Sequence, residues 1–141
     1  MNKLIPFLIE NWPFVGLFCL LLLGYLFLEF KDKLMGVSAL SSSAAVQMIN
    51  QKNTIVIDVR DKTDFDAGHV TGAINCQQQA LADKLPLLQK NKTDPVVVIC
   101  NNGVQSRRCA AIIKNSGYES VYTLKEGLNA WQKDQLPLVK S

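Results

Sequence analysis

The stretch Pro95–Arg108, PVVVICNNGVQSRR, constrains this chain most tightly. Val96–Ile99 is an unbroken run of β-forming apolar residues, the pattern of a strand buried on both faces of a parallel sheet. Cys100 follows at once, then two asparagines and Gly103. From Ser106 the spacing turns helical, with Cys109, Ala110, Ile112 and Ile113 forming an apolar stripe. A thiol is therefore expected where a buried strand ends and a helix begins, the place where open parallel sheets bind their ligands. The following helix turns unpaired N–H groups back at that spot, which favours a thiolate. Gly103 can take the positive φ needed to aim several amides at one sulfur. The same pattern also suits a small buried hydrophobe closing a core strand, so spacing alone leaves nucleophile and core residue both open.

The rest of the C-terminal part repeats strand and helix in alternation. Val37–Leu40, Thr54–Val59, Ala73–Asn75 and Tyr118–Leu124 read as further strands. A helix capped by one of Ser41–Ser43 is predicted to about Asn50, and a polar turn or short helix over Lys62–Gly68. Gln77–Lys90 reads as a helix kinked or broken at Pro86, and Lys125–Lys133 as the last helix. This order argues an α/β fold with a central, mainly parallel sheet covered on both faces. One domain, residues 37–141, accounts for the soluble part.

Residues 1–36 have a different character. Trp12–Leu28, WPFVGLFCLLLLGYLFL, carries no charge and approaches the length of a bilayer-crossing helix, with Leu4–Ile9 a less regular apolar piece before it. Trp12 and Tyr25 suit the two interfaces. A cleaved signal peptide would have a more basic start and small residues at a cleavage site, whereas here Lys3 is offset by Glu10, and Glu29, Lys31, Asp32 and Lys33 follow the apolar run. The expectation is one transmembrane anchor holding the domain close to a bacterial-type inner (plasma) membrane. Lys31 and Lys33 after the span, against Lys3 before it, place the C-terminal domain in the cytoplasm by the positive-inside rule.

Charge and cysteine content exclude other classes. Residues 37–141 carry 12 Lys and Arg against 9 Asp and Glu, dispersed and without interleaved aromatics, which argues against a nucleic-acid partner. Four cysteines, Cys19, Cys76, Cys100 and Cys109, include one in the apolar segment and no CxxC pair. That is neither a disulfide framework nor a zinc site, and no metal is expected.

Three motifs then resemble the rhodanese family. Thr54–Cys76, TIVIDVRDKTDFDAGHVTGAINC, resembles its signature of an apolar strand ending Asp-x-Arg followed by Gly-His and Gly-Ala-hydrophobic-Asn. Cys100–Ser106, CNNGVQS, is similar to its active-site loop, and Leu124–Trp131, LKEGLNAW, to its closing helix. The resemblance implies a three-layer rhodanese-like domain and sulfur transfer without a cofactor: Cys100 takes a sulfane sulfur from a donor such as thiosulfate and passes it from a persulfide to an acceptor thiol. Asn101, Asn102, Gly103, Val104, Gln105 and Ser106 would bind the substrate. Many rhodaneses carry Arg where this chain has Gln105, which leaves Arg107 or Arg108 as substitutes and opens the donor to a protein or low-molecular-weight persulfide. Rhodanese-like phosphatases use Cys-x5-Arg, but here the sixth position is Ser106, with Arg107 one place late.

Other residues have two readings. Asp58 and Arg60, on one face of a strand end, form either a structural ion pair or a support for the Cys100 loop, with Arg107 as a further support. His69, the only histidine, is expected to hydrogen-bond structurally, because a preactivated thiolate needs no base. Cys109 and Cys76 are packing residues before they are resolving thiols. As a whole, the chain reads as a membrane-anchored sulfurtransferase; the alternative is a rhodanese-like module that docks membrane-protein partners with little turnover.

Overall fold

The computed structural model describes residues 2–34, 36–89 and 91–141. The chain divides into two compact units, the first ending at Leu34. That first unit is α1 (Leu4–Glu10) and α2 (Trp12–Leu34). Leu4–Ile9 is thus regular helix, which stops at Asn11, whose backbone N–H and side-chain Nδ2 both donate to the Phe7 carbonyl at 3.1 and 2.9 Å. The 23 residues of α2 make a rod of about 34 Å. Trp12–Lys31 within it is long and apolar enough to cross a membrane. The helix therefore outruns the expected Trp12–Leu28, because Glu29, Lys31 and Lys33 are good helix formers and no Gly or Pro interrupts residues 29–34.

The second unit runs β1 (Ser38–Leu40), α3 (Ser42–Ile49), β2 (Ile55–Asp58), α4 (Lys62–Ala67), β3 (Ile74–Asn75), α5 (Gln78–Leu88), β4 (Val96–Ile99), α6 (Val104–Asn115), β5 (Val121–Leu124) and α7 (Gly127–Lys133). The strands form one five-stranded sheet in the order β1-β5-β4-β2-β3, every neighbouring pair parallel. Strand β4 lies at its centre, paired with β2 (Ile55 beside Val96) and β5 (Val96 beside Val121), and all four of its residues are buried.

Alternation along β4 decides the two cores. Val96 and Val98 face one way and pack with Ile57, Leu81, Leu85 and Ile113, so that α5 and α6 cover this side. Val97 and Ile99 face the other way and pack with Val56, Ala45, Leu128 and Trp131, from α3 and α7. The result is three layers, helix, sheet, helix. At the entrance to α3, Ser41 accepts the Ala44 N–H through its side chain at 3.3 Å, one of the three serines expected to cap it.

Strand β5 begins at Val121, three residues later than expected, the other strands are trimmed by a residue or so, and three helices also depart from the sequence reading. Pro86 sits inside α5 without ending it: the N–H it lacks forfeits a single bond close to the helix end, and the Gln89 N–H still reaches the Leu85 carbonyl at 2.9 Å. The expected helix end at Lys90 lies outside the described residues. Helix α7 begins at Gly127 rather than Lys125, because Glu126 and Gly127 both adopt φ of 59° and turn the chain first. Helix α6 begins two residues earlier than expected, directly after Gly103.

Beyond α5, the extended and buried Gln89 ties three segments together. Its Nε2 donates to the Asn53 and Pro95 carbonyls at 3.0 and 3.4 Å, and its own carbonyl accepts the Tyr118 hydroxyl at 2.7 Å. Tyr118→Phe removes that donor from a buried carbonyl, so unfolding of the detergent-solubilised chain should become easier by about 1–2 kcal/mol. An unchanged urea midpoint would show that the bond contributes nothing.

Candidate functional site

The chain leaves the central strand at Cys100, and the next turn is built around its sulfur. Gly103 takes φ of 86°, the left-handed conformation that glycine adopts at no steric cost, and serves as the N-cap of α6. With the turn so bent, the Gly103 and Ser106 backbone N–H groups donate to Cys100 Sγ at 3.0 and 3.3 Å. Ser106 Oγ lies 3.3 Å from the same sulfur and accepts from the thiol. Rotation of that hydroxyl would let it donate to an anionic sulfur instead. Asn102 Oδ1 accepts the Val104 N–H at 3.0 Å, which fixes the turn's outer edge.

The loop is held from two further sides. Arg60 and Asp58 form a buried ion pair, Nη2 to Oδ2 2.7 Å, and Arg60 also donates to the Gly68 carbonyl at 2.7 Å and to Asn101 Oδ1 at 3.4 Å. Most of the guanidinium compensates the buried carboxylate, and one longer contact goes to the Asn101 side chain. From the other side, the Leu128 and Asn129 N–H groups at the start of α7 donate to the carbonyls of Cys100 and Asn101 at 2.9 and 3.1 Å. Gly127 presses so closely that a Cβ there would collide with the Cys100 and Asn101 carbonyls.

Above the sulfur lies an open pocket of about 400 Å³ lined by Gln78, Cys100, Asn101, Asn102, Val104, Gln105 and Arg108. Cys100 belongs to this lining although it is only 1% exposed. The residues expected to bind substrate divide into two groups. Gly103 and Ser106 are buried and touch the sulfur, while Asn101, Asn102, Val104 and Gln105 form the walls, with Gln105 Nε2 donating to the Val59 carbonyl at 3.3 Å. Arg107 is exposed and outside the lining; Arg108 lies in it. Successive helical residues diverge by about 100°, and Arg108 shares a face with Val104 four residues earlier. Sequence reasoning missed Gln78 and Gly127 as parts of the site. Gln78 carried no local signal, and Gly127 was visible only as a glycine within the closing motif.

His69 is elsewhere and structural. Its ring stacks on Phe65 at 3.9 Å between centroids, Nδ1 meets the Phe65 carbonyl at 2.8 Å, and its backbone pairs with Val139. Cys76 and Cys109 are buried and free, in the same apolar cluster as Cys100. Burial, reinforced by the nearby sulfurs of Cys100 and Cys76, pushes the Cys109 thiol up to about 11. Burial also raises Cys76, partly offset by Lys84. Protonated thiols are poor nucleophiles, which argues against a resolving role for either. No group of three or more metal-ligating side chains occurs among the described residues.

Residues 41–134 match the family model described as a rhodanese-like domain. The uncharacterized protein YibN of Escherichia coli K12 is 33% identical over 121 residues, covering 85% of each chain. The thiosulfate sulfurtransferase GlpE of Shewanella oneidensis is 34% identical over 94 residues, 67% of this chain and 91% of its own. Among solved structures, a rhodanese-related protein from Thermoplasma volcanium superposes with a TM-score of 0.65 at 21% identity, covering 74% of this chain and 99% of its own. The chain belongs to the rhodanese-like family.

Two outcomes test the site's construction. Gly127→Ala should displace the Cys100 loop, changing the alkylation rate of Cys100 at least severalfold in protein that remains folded by circular dichroism; an unaltered rate would mean the α7 contact does not hold the loop. For Cys109 the sign follows from its raised value. Above about pH 9 the unfolded chain gives up this proton while the folded chain keeps it, so stability falls between pH 9 and about 11. Cys109→Ala should flatten that decline without abolishing it, since Cys76 and Tyr118 are also raised by burial. Identical alkaline slopes in the two proteins would contradict the shift.

Proposed function

We propose that this chain is a membrane-anchored sulfurtransferase that carries a sulfane sulfur as a persulfide on Cys100. The observation that supports it is the convergence of the Gly103 and Ser106 N–H groups on the sulfur of a residue that lines an open pocket, with the Ser106 hydroxyl, which accepts from the thiol, free to rotate and donate once that sulfur is an anion. Donors aimed in this way complement negative charge on a thiolate or on the persulfide that replaces it. The Cys100 thiolate attacks the outer sulfur of a donor, the donor's S–S bond breaks, and the leaving group carries off its electron pair. An acceptor thiolate then attacks the terminal sulfur of the persulfide and regenerates Cys100. Splitting one transfer into two displacements is covalent catalysis, and these steps call for no cofactor.

The likeness to the thiosulfate sulfurtransferase GlpE supports the reaction class. A phosphatase reading finds less support, because the sixth position of the loop supplies the Ser106 hydroxyl, not a guanidinium, to the sulfur's surroundings. Helix α2 serves as the anchor in this proposal, and Lys31 and Lys33, at and just beyond the end of the span, support a domain on the cytoplasmic side of a bacterial-type inner membrane.

Mass spectrometry on the full chain in detergent micelles tests the central step. After incubation with thiosulfate or inorganic polysulfide, the Cys100 peptide should gain one sulfur atom, and Cys100→Ser should gain none. A folded wild-type chain that takes no sulfur from several sulfane donors would contradict the proposal and favour a docking module.

A further inference from the structure

The pocket's lining is neutral apart from one residue of α6. Next to Cys100 it offers neutral groups only: the Asn101 and Asn102 amides, and Gln105, whose Nε2 is engaged by the Val59 carbonyl. The Arg60 guanidinium, which reaches the loop at Asn101, is occupied by Asp58 and the Gly68 carbonyl. The only cation in the lining is Arg108, on α6, and it forms no ion pair among the described residues. Helical rise puts its Cα about 6 Å along the axis from that of Val104, at the start of the helix. Val104 itself is an apolar wall, 52% exposed. At about 400 Å³ the space falls in the range of pockets for organic ligands, roughly 300–1,000 Å³, and a small inorganic anion would fill little of it.

Building on the sulfurtransferase reading, we propose that the donor is an organic persulfide bearing a carboxylate several bonds from its sulfane sulfur, with Arg108 holding that carboxylate at the rim. The persulfide end lies over Cys100, the carbon chain runs past Val104 and the asparagine and glutamine amides, and the distal anion meets Arg108. An inorganic donor such as thiosulfate must keep its negative oxygens within two bonds of the transferred sulfur, beside the neutral amides of Asn101, Asn102 and Gln105. In the transfer, the electron pair of the Cys100 thiolate forms the new Sγ–S bond. The donor's S–S bond breaks with its pair leaving on R–S⁻, and the proton travels with the terminal sulfur, so Cys–S⁻ and R–S–SH become Cys–S–SH and R–S⁻. No oxidant or reductant is required.

The test compares the loading of Cys100 in the full chain in neutral detergent, by mass spectrometry, from glutathione persulfide, cysteamine persulfide and thiosulfate. Glutathione persulfide carries carboxylates and cysteamine persulfide has none. The wild-type protein should prefer glutathione persulfide in KM by about fivefold, the scale of an exposed charge pair. That preference should shrink with added salt, collapse in Arg108→Gln and persist in Arg108→Lys. Equal KM values for the two persulfides, or a preference untouched by Arg108→Gln, would overturn the assignment of Arg108 and its carboxylate while sulfur transfer itself stood. Tightest binding of thiosulfate would overturn it likewise. Loading from none of the three would remove both this inference and the reaction on which it rests.

Discussion

The site depends on one backbone conformation, the left-handed turn at Gly103. Without it the chain leaving β4 could not double back, and the first amides of α6 would point past the sulfur. A β-carbon at this position would face both an unfavourable φ and the Glu126 N–H at 3.3 Å. The chemistry proposed for Cys100 therefore rests less on any neighbouring side chain than on main-chain dipoles, which cost no side-chain entropy to hold in place.

A loop that carries such dipoles must be rigid, and the rest of the domain supplies that rigidity. Strand β4 is buried on both faces and paired on both edges, so Cys100 begins from a fixed point. The α7 amides bind the loop's carbonyls, and Arg60 reaches its Asn101 side chain. Each contact comes from a different part of the sequence, and together they leave the pocket side of the loop open for a ligand.

That division explains how much could be read before the fold was known. The continuous apolar runs of β2 and β4 required a sheet covered on both faces, and the thiol's place at a strand end, with glycine behind it, followed from local pattern. The contact of Gly127 with the Cys100 carbonyl was not legible, since it joins two turns brought together only by the β4–β5 pairing. The choice between Arg107 and Arg108 depended on where α6 begins, and helix ends are poorly specified by periodicity alone. The place of Cys100 in the pocket lining depended on the walls, which come partly from Gln78 at the start of α5. Asp58 and Arg60 could be paired by spacing, but the reach to Asn101 needed the strand order.

The most direct measurement is the rate at which Gly103→Val acquires sulfur on Cys100, compared with wild type under identical donor concentrations, with Gly103→Ala as a milder companion if the valine chain does not fold. Folded protein of either variant should load at least tenfold more slowly, because the turn can no longer present both amides to the sulfur. Loading at the wild-type rate would contradict the account, for it would mean that the sulfur accepts its cargo without the main-chain cradle.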